Sequence, residues 1–425
     1  MINYTTDQQA TIDEFVAFML DPNRKVLVIN GRPGCGKTFL VSSLIQQAKD
    51  ISSLLTSLLG NNQQLSFHLA ATTNQAAEVL AEKTGMEATT IHSFLGLRVQ
   101  NDYKTGKTQL MQTNSWKVHE SVILFIDEMS MADTELISFI DKATMNCKVV
   151  FILDKNQVLP VFETEIPLIK KYPVNCNLTQ IVRQGAGNPI IDYAHELCDA
   201  IENNTLIPAI PASSNIIHLS ASEFKQELDA HFTLPDAEHR FKILGWTNKR
   251  VRKYNQYIRG LMFPDELIRA GEYLVANDTY VGAGGLTIIR NQEEVLVTQA
   301  SALITCSETD IQYQSLRVKG NSGHTYLINR PIDYDNVAAW LKYYGKTKEF
   351  SKLFDMKQNM LDLRPLHACT VHKSQGSTYE DVFIDLDDIC ANNKINEVKR
   401  LILVGITRAA NKVYLRGSIP SKYSL

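Results

Sequence analysis

The chain has 425 residues, and 43 Lys and Arg against 46 Asp and Glu leave a formal net charge of −3. That length predicts about two to four domains, while 44% hydrophobic and 21% charged residues exclude a disordered or polybasic chain. The seven cysteines show no Cys-x-x-Cys spacing, which argues against a zinc ribbon or disulfide scaffold and for buried, reduced thiols.

In chain order, Met1–Phe15 carries Asp7, Asp13 and Glu14 where a targeting signal needs a basic start and an apolar run. The longest apolar run, Phe15–Leu20, has six residues, far short of the ~20 a membrane span needs. A soluble intracellular protein is expected. Lys25–Asn30, Phe67–Ala71, Val122–Ile126 and Val149–Leu153 are β-rich runs without period-two alternation, as in a parallel sheet covered on both faces. Helical patterns such as Thr38–Lys49 and Gln75–Lys83 lie between them, the rhythm of an α/β domain. Leu95–Asn101 and Thr108–Gln112 flank a Gly-bearing turn and predict an inserted hairpin.

A second α/β region starts near Asn188, contains Phe241–Trp246 and is interrupted at about residue 275. Short β-rich runs follow at Leu286–Ile289, Glu294–Thr298, Ala302–Cys306, Gln312–Val318 and His324–Ile328. Their spacing of roughly 8–12 residues predicts a small β-barrel. Asp335–Tyr344 and Lys348–Met360 predict helices, and the α/β pattern resumes at Cys369 and ends with Leu401–Val404 and Lys412–Leu415. Arg240, Lys242, Lys249, Arg250, Arg252, Lys253 and Arg259 form an acid-free basic stretch. It is either the solvated face of a helix capped by Thr247 or Asn248, or one wall of a phosphate-tracking channel. Trp340, Tyr343, Tyr344, Phe350 and Phe354 recur at helical spacing and predict core more readily than a base-stacking platform.

Gly31-Arg32-Pro33-Gly34-Cys35-Gly36-Lys37-Thr38 fits the P-loop pattern in its strand–loop–helix context. Backbone N–H groups there can cradle a triphosphate, Lys37 reaches its β- and γ-phosphates, and the Thr38 hydroxyl binds Mg²⁺. Val122–Ile126 runs straight into Asp127-Glu128, about 90 residues later. At a strand end, Asp127 can hold Mg²⁺ and Glu128 can polarise the attacking water.

Asp127-Glu128-Met129-Ser130, Leu153-Asp154-Lys155-Asn156-Gln157-Val158-Leu159-Pro160-Val161 and Thr90-Ile91-His92-Ser93 resemble superfamily 1 helicases, of the 1B RecD/Dda branch. Thr5–Gln8 resembles the Q-motif, Ala71–Ala76 motif Ia, Leu178–Arg183 motif IV, His372–Gly376 motif V and Val404–Ala409 motif VI. The resemblance covers most of the chain, and the order and spacing of these motifs are more specific than any one of them. Two positions depart from the pattern: Leu153 where Gly is usual, and Thr72 where Pro is common.

The resemblance implies an α/β fold of two RecA-like P-loop domains, with an inserted β-hairpin pin and an inserted SH3-like β-barrel. The expected divisions are 1–93 with 119–185 for the first domain, 94–118 for the pin, 186–274 with 365–425 for the second domain, and 275–364 for the barrel with its helical extension. Gln8 would read the adenine, Gln157 would sense the γ-phosphate and couple it to DNA, and Arg183 and Arg408 would be arginine fingers. Gly376 would line the nucleotide. Thr72, Thr73, Asn74, Thr90, His92, Thr370, His372 and Ser377 would hold single-stranded DNA, and Leu110 or Met111 would form the wedge of the pin. The implied cofactors are ATP and Mg²⁺; the implied partners are single-stranded DNA, single-strand/duplex junctions and a single-stranded-DNA-binding protein. A monomer in the cytoplasm of a bacterial or phage-infected cell, acting in DNA replication or recombination, with 5′ to 3′ movement, completes the expectation. Two other classes compete: an ATP-gated single-stranded-DNA binding or remodelling factor, and a small-molecule P-loop kinase or GTPase. A kinase or GTPase needs neither motif V nor motif VI.

Overall fold

A computed structural model describes residues 4–424 apart from 60–65, 103–106, 160–162, 164, 183–186, 235, 264, 266, 278, 282–286 and 322. In chain order the first part supplies strands β1 (Val26–Gly31), β2 (Ser66–Ala71) and β3 (Ala88–Thr90), then the pair β4 (Leu97–Asp102) and β5 (Lys107–Gln112). Strands β6 (Glu120–Asp127), β7 (Asn146–Leu153) and β8 (Cys176–Leu178) follow. All but β4 and β5 join one parallel sheet in the order β3-β2-β6-β7-β1-β8. Successive residues of its central strands feed opposite cores. Leu27, Ile29, Ile123 and Phe125 pack with Phe15 and Leu44, while Val28, Leu124, Ile126 and Phe151 pack with Leu136 and Ile140. Two covered faces are why these strands read as unbroken apolar runs. The hairpin β4–β5 pairs antiparallel from Leu97↔Gln112 to Asp102↔Lys107.

The second part supplies β9 (Ile216–Leu219) and β10 (Phe241–Gly245), and the interruption supplies β11 (Tyr273–Ala276), β12 (Tyr280–Val281), β13 (Thr287–Ile289), β14 (Glu294–Thr305), β15 (Gln312–Lys319) and β16 (Thr325–Pro331). After helices Tyr334–Thr347 and Phe350–Asn359 come β17 (Leu363–Pro365), β18 (Ala368–Thr370), β19 (Tyr379–Asp385) and β20 (Ala409–Arg416). A second parallel sheet runs β18-β10-β19-β20-β9, and an antiparallel one runs β16-β15-β14-β11-β17. In β15 burial alternates, with Leu316 and Val318 buried and Arg317 exposed, as in a sheet with one wet face.

Two expectations need correction. Glu294–Thr298 and Ala302–Cys306 are not separate strands; β14 runs through to Thr305, its pairing with β15 shifting register on either side of Gln299–Ala300. The closing run Leu401–Val404 lies in helix Ile395–Ile406, apolar and buried because this helix packs inside the second core.

The basic stretch is in part the solvated face of a capped helix, with Lys249 and Lys253 exposed. Thr247 does cap the helix Asn248–Met262. However, Arg240 pairs with Glu380, Arg250 with the fully buried Asp385, Arg252 with Asp335 and Arg259 with Glu272. Lys242 is buried and donates to the Leu366 carbonyl. The aromatic run is core, as Tyr344 and Phe354 pack with Trp340 and Phe350, while Tyr343 is exposed. All seven cysteines are free. Among the described residues no helix is long and apolar enough to cross a membrane.

Candidate functional site

β1 ends at Gly31, and a helix starts at Lys37, so the Gly-rich loop occupies a helix N-terminus at the carboxyl edge of the sheet. Gly36 sits at φ +72°, and a Cβ there would lie 2.9 Å from Gln8 Nε2; only glycine fits both constraints. Lys37 Nζ donates to the carbonyls of Gly31 at 2.7 Å and Arg32 at 3.3 Å, and stands 3.8 Å from the Asp154 carboxylate. The cation is thus folded over the mouth of the loop.

Gln8 is 2% exposed; its Oε1 accepts from Thr5 N at 3.1 Å and its Nε2 donates to the Cys35 carbonyl at 3.0 Å. The first bond completes the capping box of helix Thr6–Leu20. An amide offers two donors and two lone pairs, so one of each is left for a base. The half-exposed Phe39 ring, two residues after Lys37, stands 6.1 Å from the ring of Tyr4.

β6 delivers Asp127, whose Oδ1 accepts from Glu128 N at 2.8 Å. Glu128 adopts left-handed backbone, φ 57° and ψ 34°, a conformation that strains a non-glycine residue by about 1–3 kcal/mol and clusters at functional sites. Burial raises the Asp127 carboxyl above its ordinary range. Burial, with the Asp127 charge beside it, pushes Glu128 up to about 7, against the opposing pull of Arg408 and Lys37. Arg408 comes from the other parallel sheet. It is buried; Nε donates to the Val404 carbonyl at 3.2 Å and Nη1 to the Ser377 carbonyl at 3.2 Å. Burial lowers its pKa, with the Glu128 charge the foremost opposing influence.

The turn after β7 joins the two halves. Gln157 Nε2 donates to Asp154 Oδ2 at 3.5 Å, and its Oε1 accepts from Gln375 Nε2 at 3.3 Å. Ser377 Oγ donates to Gln75 Oε1 at 2.7 Å. Gly376, at φ +80°, brings the second sheet's loop against Ala76, where a Cβ would meet the Ala76 Cβ at 3.4 Å. It therefore lines the seam between the halves.

Two family models match, one described as an AAA domain over residues 16–163 and one as a UvrD-like helicase C-terminal domain over residues 365–416. The ATP-dependent DNA helicase dda of Enterobacteria phage T4 is 24% identical over 455 residues, covering 96% of this chain and 98% of that protein. The uncharacterized protein R530 of Acanthamoeba polyphaga mimivirus is 22% identical over 500 residues, covering 96% and 99% respectively. The ATP-dependent RecD2 DNA helicase of Deinococcus radiodurans is 28% identical over 195 residues, 45% of this chain and 24% of that protein. By these likenesses the chain is similar to superfamily 1B helicases of the RecD/Dda type.

In this chain the residues expected on DNA divide into three groups. Thr72, Thr73, Asn74, Thr90 and His92 follow or end β2 and β3 at the carboxyl edge, where Ala71 pairs with Thr90. Thr73 and Thr90 also cap helices, accepting from Ala76 N and Ser93 N. Thr72 Oγ1 donates to the Glu128 carbonyl at 3.2 Å, a direct link from this edge to the carboxylate pair. Thr370 and His372 lie at the matching edge of the second sheet, Thr370 itself buried. Burial lowers both His92 and His372 from the ordinary histidine value, so each is neutral at pH 7. Ser377 does not fit the expectation: it is 2% exposed and committed to Gln75 in the seam.

Arg183 lies outside the described residues, as does the hairpin turn 103–106. Leu110 is also not at the tip. It pairs with Val99 midway along the hairpin and packs on the first core, while Met111 beside it is 43% exposed. Of four residues that bind across the seam, Arg32 and Asn156 stand inside motif stretches but were given no role, and Glu202 and Arg400 lie in no motif. Glu202 accepts from Asn156 Nδ2 at 2.8 Å and pairs with Arg32 at 3.0 Å. For Arg400 the only signal was its place directly before the apolar run Leu401–Val404.

Proposed function

We propose that this chain is an ATP-dependent DNA helicase that moves 5′ to 3′ along single-stranded DNA and separates duplex. What supports the reading is that Arg408, just before a strand of the second sheet, and Glu128, just past a strand of the first, lie within each other's electrostatic reach. Phosphoryl transfer needs positive charge at the γ-phosphate and a base for the attacking water. When these come from different halves of the molecule, hydrolysis depends on closure, and closure can be turned into a step. Thr72 then ties the strand-facing edge to the backbone carbonyl of the same glutamate.

Each group has a defined task. The loop 31–36 and Lys37 bind the phosphates, Glu128 takes the proton from water, Gln157 reports the nucleotide to Gln375, and Arg408 stabilises the charge that develops on the leaving phosphate. Mg²⁺ fits the donor chemistry: the carboxyl of Asp127 is raised by burial and stands at the strand end within reach of the Lys37 charge, a setting a divalent cation would relieve. Thr38 and Asp127 would hold it, and bound there it would screen phosphate charge. Among the described residues no three side chains form a metal site of their own, as expected where phosphate and water supply the other ligands. Gln8 offers its remaining amide positions to the adenine, and Arg183 acts as a second finger. Thr72, Asn74, Thr90, His92 and His372 track the strand. The hairpin is the pin, and the antiparallel insert is an SH3-like barrel that flanks the strand. The working unit is a cytoplasmic monomer meeting single-strand/duplex junctions and a single-stranded-DNA-binding protein.

The test is ATP hydrolysis with and without a single-stranded oligonucleotide. The reading requires stimulation by the strand; a rate indifferent to DNA contradicts it.

A further inference from the structure

The helix Ile395–Ile406 buries Leu401, Ile402, Leu403 and Val404 in the second core, but Arg400 leaves that core and crosses the seam. Its Nη1 donates to the carbonyls of Lys155 at 2.5 Å and Gln157 at 2.6 Å. These carbonyls belong to the turn that presents Asp154, Asn156 and Gln157, all at most 5% exposed. Among the described residues no carboxylate lies in ion-pair range of Arg400. Arg400 is partly buried; a guanidinium partly withdrawn from water without a counter-ion carries a cost, and charge-assisted bonds to two carbonyls are what hold it there. Glu202, at the end of helix Pro189–Glu202, grips the same turn through Asn156.

Arg408 follows eight residues after Arg400, just past the end of the same helix, a separation of about 12 Å along the axis. One rigid element therefore carries both the finger and the group that fixes the turn of Gln157. We infer that Arg400 is a positioning residue for ATP hydrolysis: by holding two backbone carbonyls of the Asp154–Gln157 turn, it sets Gln157 and Asp154 in register with Arg408. The inference rests on the hydrolytic reading above. Opening the seam breaks these bonds and withdraws the finger together, so turn and finger act as one unit. Arg400 itself touches no phosphate in this role. Its effect belongs to the geometry of the reacting state rather than to ATP binding.

The test uses the full chain with single-stranded DNA, and reads kcat, KM for ATP and melting temperature together. Arg400→Ala should lower kcat about 100-fold, the loss typical of a misplacement near 1 Å, and leave KM within about threefold. Arg400→Lys should recover much of the rate, because one ammonium can donate to both carbonyls. Adding Arg400→Ala to Arg408→Ala should lower kcat no further than Arg408→Ala alone. Should the alanine variant lose the fold, Arg400→Gln decides by the same kcat-against-KM split. Wild-type kcat in a folded Ala or Gln variant, a loss confined to KM, or additive losses in the double variant would overturn the inference. A wild-type chain whose hydrolysis ignores DNA would instead remove the parent reading, and the inference with it.

Discussion

Gln375, in the loop after β18, donates through Nε2 to Oε1 of Gln157, in the turn after β7, at 3.3 Å. Each belongs to a different parallel sheet, and Gln157 also donates to the carboxylate of Asp154. A change at the phosphates is therefore two side-chain hydrogen bonds from the strand-facing loop of the second half. Gln157→Ala should leave ATP binding within a few-fold and reduce the stimulation of hydrolysis by single-stranded DNA at least tenfold. Titrating the oligonucleotide at saturating ATP reads this directly; undiminished stimulation would remove the relay.

Lys37→Ala should abolish DNA-stimulated hydrolysis without loss of the fold. Its ammonium bonds only loop carbonyls and faces Asp154, so no core packing depends on it. A melting curve like wild type with turnover lost is the expected pair of results. Turnover near wild type would dissolve the phosphate assignment.

Glu128→Gln separates binding from chemistry and carries a pH signature. The carboxyl is raised from 4.5 to about 7 by burial and by Asp127. Between those values the folded chain holds a proton that the unfolded chain releases. Its contribution to stability is thus full below about 4.5 and lost as pH rises through about 7. The neutral amide avoids this loss, so Glu128→Gln should melt higher than wild type at pH 8, and the gap should close towards pH 5. Hydrolysis in wild type should fall as pH drops below about 7, because the base becomes protonated. The variant should bind ATP and not turn it over. A variant that melts lower at pH 8, or fails to bind ATP, would show that Glu128 serves structure or metal binding.

Arg408→Ala should depress kcat by about 10³-fold or more, the range for arginine fingers, with little change in ATP affinity. Its charge is matched to the reacting state. Stopped-flow binding of a fluorescent ATP analogue, compared with single-turnover hydrolysis, measures the two separately. A loss wholly in affinity would make Arg408 a ground-state clamp.

The hairpin test follows from the packing of Leu110. Replacing Asn101–Thr108 with a Gly-Ser linker keeps Leu97 and Leu110 on the first core and removes the far end of the ladder. Hydrolysis and translocation should survive, while unwinding collapses, since each base-pair step opened costs about 1.4 kcal/mol on average. Unwinding at the wild-type rate would place strand separation elsewhere.

The nucleotide half of the site was legible because its chemistry is local: a loop, a strand end and a helix start within one continuous stretch each. Arg408 and Gln157 were legible only through resemblance, since nothing near either in sequence indicates a partner some 220 to 280 residues away. Ser377 misled because its position beside a strand end suits a DNA contact, and only the docking of the two halves reveals Gln75 against it. In Arg240–Arg259 the exposed Lys249 and Lys253 were legible, but the pairing of the four arginines was not, because their acids, Glu380, Asp385, Asp335 and Glu272, come mostly from distant segments. β14 was divided in two because Gln299–Ser301 are small or polar like a turn, whereas bulged pairing with β15 carries the strand through them.

The central claim is that closure of a shared ATP site drives directional movement along one strand. Strand displacement on a partial duplex with either a 5′ or a 3′ single-stranded tail tests it most directly, with ATP and a trap for the released strand. The account predicts ATP-dependent release from the 5′-tailed substrate and little from the 3′-tailed one. Release from neither, with DNA-stimulated hydrolysis intact, would contradict it and make the chain an ATP-gated binder; preference for the 3′ tail would reverse the direction of movement.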